Sequence, residues 1–211
     1  MRKIFGFCAI VFFLSAPFAA NADPYLGTGW MDLYYSPPVG GGYYLDYDGK
    51  VTSSTFGYTT GLEEVFCVSP DHLNSQEFVT FYAITPELGA DKFKQLSAAA
   101  WIADNWKDTA KWAAWGATGL SIDDIKGEAQ KAVWKITGVM DIVGGDGTDS
   151  FIYADALKHY GYMTTNWYFA DSAVYQDYLT PARAVPEPSV LLIMGSGFAA
   201  WGAMNWRRRK S

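Results

Sequence analysis

The sequence predicts an α+β chain: a β-sandwich or barrel with a helical insert, bracketed by two segments that address the chain rather than fold with it. Three observations carry this. Tyr, Thr, Val and Phe recur between glycine and proline clusters from Asp23 to about Tyr82, and strand-like segments return after Thr164. Between them lie stretches with apolar residues at helical spacing. Both ends are apolar runs accompanied by basic residues.

In chain order, Arg2 and Lys3 precede an apolar run from Ile4 to Phe18, followed by Ala20-Asn21-Ala22. A basic start, a short apolar stretch and a small-x-small site form a cleavable secretion signal, residues 1–22. The run is too short to span a bilayer as a helix. Gly40-Gly41-Gly42 predicts a loop and Tyr43 to Tyr47 a strand. Asp48-Gly49 predicts a hairpin turn into a strand from Val51 to Tyr58. Glu64 to Val68, which carries Cys67, and Phe78 to Ile84 are the next strands.

The middle is helical. Asp91 to Trp106 places Phe93, Leu96, Ala100 and Ala103 at helical spacing, and a short helix from Thr109 to Trp115 ends at Gly116. Ser121, with Asp124 three residues on, predicts a capped helix start. Ile122, Ile125, Ala129, Val133 and Ile136 form its apolar stripe, with Lys126 off it, and Gly138 stops it. Ser150 to His159 is a fourth, short helix, and Asn166 to Phe169 and Ala173 to Leu179 return to strand. The domain runs from 23 to 182, and 183–211 is a tail.

That tail reads Val185-Pro186-Glu187-Pro188, an apolar stretch from Val190 to Trp206, and Arg207-Arg208-Arg209-Lys210. The prolines forbid a helix through the first part. An apolar stretch ended by a basic cluster keeps that cluster on the cytoplasmic side. These three parts in order resemble the PEP-CTERM sorting signal. The resemblance implies a Gram-negative-type host, recognition by an exosortase, a transient stay in the inner membrane, and removal of the tail. It also implies association with the envelope or extracellular matrix, with exopolysaccharide or a surface ligand as the setting.

Charge and cysteine count narrow the domain's work. Without Arg2, Lys3 and the last four basic residues, 10 of the 16 Lys and Arg remain; without Glu187, 21 of the 22 Asp and Glu remain, leaving −11. Phosphate backbones require Lys and Arg, so nucleic acid is excluded as a partner. Of the 2 cysteines, Cys8 leaves with the signal. Cys67 is then a buried inert thiol, an intermolecular link or a reactive group.

Phe66-Cys67-Val68 sets a thiol on an apolar strand. Far downstream, Gln130-Lys131-Ala132-Val133-Trp134 places Gln130 and Trp134 four residues apart on one side of a helix. The two segments resemble the thioester domains of bacterial surface proteins, with an aromatic-Cys-apolar strand and a Gln-x-apolar-apolar-Trp segment. Ala98 to Asn105 is similar to the helix between those motifs, and Gln176-Asp177-Tyr178-Leu179 resembles the last strand of PEP-CTERM proteins with this domain. Lys131 departs from the small or apolar residue usual there. The resemblance implies a Cys67–Gln130 thioester, with Phe66 and Trp134 as its surroundings, used for covalent adhesion to surface amines or hydroxyls.

Other chemistry is less marked. Asp141, Asp146 and Asp149 beside Gly144, Gly145 and Gly147 read as a solvated turn more than a Ca²⁺ loop. His72 is a candidate base near Cys67, and His159 has no serine motif beside it. The 9 Trp and 14 Tyr suit a carbohydrate-binding surface as well as a core. The expectation is no metal, no cofactor and no catalytic residue, with an enzyme ranked behind covalent adhesion and non-covalent binding.

Overall fold

A computed structural model describes residues 23–35, 47–69, 74–139 and 147–182. The strands are β1 (Tyr25–Tyr35), β2 (Tyr47–Ser54), β3 (Glu63–Glu64), β4 (Phe66–Cys67), β5 (Gln76–Ala83), β6 (Trp167–Ser172) and β7 (Tyr178–Pro181). The helices are α1 (Ala90–Asn105), α2 (Thr109–Trp112), α3 (Ile122–Thr137) and α4 (Thr148–Ala156), all between β5 and β6. The predicted strand, helical insert, strand order therefore holds.

The strands form one seven-stranded antiparallel sheet, in the order β3-β2-β1-β5-β6-β7-β4. Its two outermost members are successive pieces of one segment, separated only by Val65. Glu64 pairs with Asp48 on β2, while Cys67 pairs with Tyr178 on β7. Two further backbone bonds extend the bridge, Val65 N–H to Tyr47 O at 3.1 Å and Val68 N–H to Asp177 O at 2.9 Å. One short stretch thus touches both edges and draws the sheet into a nearly closed barrel. The barrel alternative is the one realised.

Asp48-Gly49 is not the predicted turn. It lies inside β2, opposite Tyr34 and Leu33 of β1. Glycine is required there for space: a Cβ at Gly49 would fall 2.7 Å from the Met31 Cε and 2.9 Å from a Val65 methyl.

Two buried clusters divide the interior. The barrel cluster includes Met31, Val51, Tyr58, Phe81 and Cys67. The helical cluster includes Trp101, Trp115, Ile125, Val133 and Phe169. Helix α3 serves both. Ser121 and Asp124 close a reciprocal capping box, and Gly138 ends the helix at φ 73°. Ile125, Ala129, Val133 and Ile136 are buried as the stripe requires, but Ile122 is 52% exposed. It occupies the first helical position, before the helix reaches the core.

A second buried side of α3 carries Gln130 and Trp134. Lys126 lies off that stripe, and its Nζ is 3.2 Å from Glu64, which also pairs with Lys107 at 2.8 Å. Burial pushes the Lys126 amine down to about 8. Asp104 anchors α1 to the start of β6. It accepts from Tyr162 Oη at 3.0 Å, Asn166 Nδ2 at 3.1 Å and Trp167 Nε1 at 2.8 Å. Among the described residues no helix is long and apolar enough to cross a membrane. The signal, residues 36–46 with the predicted glycine loop and strand start, and the tail lie outside the described residues.

Candidate functional site

The alternation of β4 sends its two side chains opposite ways. Phe66 packs edge-on against Trp167 at 5.9 Å in the helical cluster. Cys67 joins the barrel cluster and is fully buried. Among the described residues β4 is the last strand of the sheet, with β7 on one side and no strand on the other. An edge strand leaves backbone donors and acceptors that must find partners when buried.

Gln130 supplies them. The Cys67 N–H donates to Gln130 Oε1 at 3.1 Å, and Gln130 Nε2 donates to the Cys67 carbonyl at 2.7 Å. The carboxamide thus stands where a neighbouring strand's peptide group would. Gln130 is 3% exposed, so both bonds are shielded from water. The sulfur lies among polar groups. Its S–H donates to Ser69 O at 2.9 Å, and Trp134 lies one turn beyond Gln130 on the same side of α3. Burial pushes the thiol up to about 12; the Trp134 side chain and the Ser69 carbonyl oppose this, and the charges of Asp177 and Glu77 add to it. Cys67 is therefore a neutral thiol at neutral pH.

The surrounding polar groups come from β7 and the turn before it. Asp177 N–H donates to Ser69 Oγ at 2.7 Å, and Asp177 Oδ1 accepts from Ser172 N–H at 2.8 Å. Tyr178 Oη donates to Gln176 Oε1 at 3.1 Å. Burial raises the Tyr178 hydroxyl far above its usual range, and the Glu77 charge raises it further. The resemblance of Gln176 to Leu179 pointed to this strand, but nothing in it named Ser69, Glu77 or Tyr47 as neighbours. Glu77 alone carried a readable signal, an acid in phase with Val79 and Phe81 on an alternating strand.

The structure thus brings Cys67, Gln130 and Trp134 together, with Phe66 on the far face of the same strand. Lys131, the departure from the thioester pattern, is buried against Glu128, whose Oε2 also accepts from Asp149 N–H at 3.2 Å. Asp149 pairs with Lys135. His159 stacks on Trp101 at 4.1 Å and takes no part near Cys67. His72, Asp141 and Asp146 lie outside the described residues, as do Pro186, Glu187, Pro188, Arg207, Arg208, Arg209 and Lys210. Among the described residues no group of three or more His, Cys, Asp or Glu could hold a metal.

Chemically, the site presents a carbonyl polarised by a backbone N–H beside a thiol. Charge developing on Oε1 during attack at the Gln130 Cδ would meet a donor already aimed at it. The neutral thiol must first lose its proton.

No curated protein and no solved structure matches the chain. The PEP-CTERM protein-sorting motif matches residues 184–210, a span that includes the Pro186-Glu187-Pro188 segment and the terminal basic cluster. Exosortases process such signals, so the chain carries the sorting signal of an exported, exosortase-targeted protein with a membrane-anchored precursor.

Proposed function

We propose that this exported domain attaches covalently to a surface amine or hydroxyl through a thioester between Cys67 and Gln130. The observation that carries the reading is the pair of hydrogen bonds holding the Gln130 carboxamide on the Cys67 peptide. The Cys67 Sγ–Gln130 Cδ bond forms, the Cδ–Nε2 bond breaks, and the thiol proton leaves with the nitrogen as ammonia. An acceptor then attacks Cδ, the C–S bond breaks, and the acceptor's proton passes to the sulfur. Each molecule reacts once, so the domain acts as an adhesion device rather than an enzyme. Residues 1–22 are removed on export, and the tail is removed by exosortase near Pro188.

Intact mass of the purified domain tests this. A formed thioester makes it lighter by about 17 Da, the mass of ammonia. Cys67→Ala and Gln130→Ala each restore the full mass. Methylamine opens the bond and adds its mass to Gln130. A full mass with no methylamine adduct in the native protein rejects the thioester. Terminal sequencing checks the processing: the exported chain should begin near Asp23.

A second reading, non-covalent binding of carbohydrate, is favoured by the outer face of β1 and β5. Trp30 and Phe78 are directly paired and exposed, with ring centroids 5.3 Å apart. Tyr34 is exposed further along β1, and Gln76 Nε2 donates to Asp32 Oδ1 at 2.9 Å between them. Flat rings beside paired polar groups suit the apolar faces and hydroxyls of sugars. Retention on exopolysaccharide that is lost in Trp30→Ala and kept in Cys67→Ala is the expected result; equal retention of both variants rejects this face.

A further inference from the structure

The described chain enters and leaves the barrel at the same end. The start of β1 pairs with the end of β5 (Tyr25 with Tyr82), the end of β5 with the start of β6 (Ala83 with Tyr168), and the start of β6 with the end of β7 (Trp167 with Pro181). Backbone bonds carry this row past the strands: Ala83 N–H donates to Pro24 O at 2.8 Å, and Ala182 N–H to Asn166 O at 2.6 Å. The turn after β2 joins them, because Tyr58 Oη donates to Pro181 O. Cys67 belongs to the opposite end. It pairs with Tyr178, the first residue of β7, and Asp177 just before it accepts from Ser172 N–H at the end of β6.

The end with the two exits is aromatic and open. Phe56 and Tyr168 lie 6.3 Å apart and, with Leu26, pack on the barrel cluster while staying partly exposed. Beside them Tyr25, 49% exposed, meets the half-buried Tyr82 edge-on at 6.2 Å. Such rings favour the boundary between a bilayer and water, where the apolar body and the polar tip are both satisfied. The tether to the bilayer is short. β7 ends at Pro181, and the sorting motif begins at residue 184. The chain from Pro181 to Val190, where the apolar stretch starts, reaches at most about 30 Å when extended. The anchored precursor therefore keeps this end beside the membrane at high local concentration, where a weak affinity suffices for contact.

We propose that this end of the barrel is a membrane-facing surface. In the anchored precursor Tyr25, Leu26, Phe56, Tyr82 and Tyr168 rest in the interfacial zone of the bilayer, and the Cys67 end is turned away from it. The domain is strongly acidic, so anionic headgroups repel it and apolar insertion is the attraction that remains. The contact rests on the membrane-anchored precursor and needs neither a thioester nor a bound sugar.

The test uses the full chain, expressed without exosortase so that the tail stays on, and reconstituted into phosphatidylcholine vesicles. In a Cys8→Ser, Cys67→Ala background, a fluorophore is attached at Thr59→Cys, exposed in the segment after β2, or at Tyr34→Cys, exposed near the far end of β1. Lipids with a nitroxide on the headgroup should quench the first strongly and the second little. A long Gly-Ser linker inserted after Arg183 separates interfacial contact from mere tethering. Quenching at Thr59→Cys should survive that insertion. It should be lost from the long-linker chain when Tyr25→Ser and Tyr82→Ser are added, with an unchanged far-UV spectrum showing that the barrel is intact. Equal quenching at the two positions, or loss of the Thr59→Cys signal on lengthening the linker alone, overturns the proposal. So does quenching that persists in the intact double-serine variant.

Discussion

The Gln130 carboxamide is joined at both ends to the peptide groups of one residue, Cys67, at 3.1 and 2.7 Å. A side chain from a helix thereby completes the hydrogen bonding of a sheet edge. This relation is structural before it is chemical, and it has a measurable weight.

Gln130→Ala strands a buried N–H and a buried carbonyl on Cys67. Each unsatisfied group costs roughly 1–3 kcal/mol. Urea unfolding of the Cys67→Ala protein and the Cys67→Ala/Gln130→Ala protein, neither of which can form a thioester, should show a loss of that order. No loss would mean that the edge finds other partners.

Glu77 should make stability depend on pH. Its folded pKa of about 7 lies above the unfolded value of 4.5, with burial as the main cause. Below 4.5 the group is protonated in both states and costs nothing. As the pH rises from there to about 7, the unfolded chain releases its proton first, so stability is lost across that window. Glu77→Gln should therefore raise the melting temperature at pH 8 relative to the parent and gain less at pH 5. The opposite order in thermal melts would show that the charged form is the favoured one.

Two isoleucines on α3 should behave differently. Ile125→Asp buries an unpaired charge in the helical cluster and should cost about 3 kcal/mol or more. Ile122→Asp, at the exposed first position, should be close to neutral, since an acid near a helix start is tolerated. Equal losses in denaturant titrations would place Ile122 in the core after all.

Asp104 gathers donors from Tyr162, Asn166 and Trp167. Asp104→Ala should destabilise the domain by about 2–4 kcal/mol, because the indole N–H and the neighbouring donors lose one common acceptor. Asp104→Asn keeps an acceptor oxygen and should lose less. Chemical denaturation of the two variants checks the order.

The capping box at Ser121 and the stop at Gly138 were readable because local residues decide helix ends. The pairing of Cys67 with Gln130 was readable only as a resemblance, since no local pattern brings residues that far apart together. Gly49 was misread for a related reason. Its neighbour Asp48 completes a turn-like pair, while the atoms that demand glycine belong to Met31 and Val65. The pairing of Lys126 with Glu64 was not legible because the two sit on different elements. Sheet order was equally hidden: β1 pairs with both β2 and β5, and its own sequence does not name them.

The segment from Glu63 to Val68 is bonded on one side to β2 and on the other to β7, the last strand described. Contacts between such distant parts of a chain form slowly. The barrel cannot close, and the sulfur cannot acquire its buried surroundings, until the residues around Tyr178 have taken their place. Burial of Cys67 is thus tied to the docking of β7, and a molecule in which that strand has not yet paired carries an unshielded thiol.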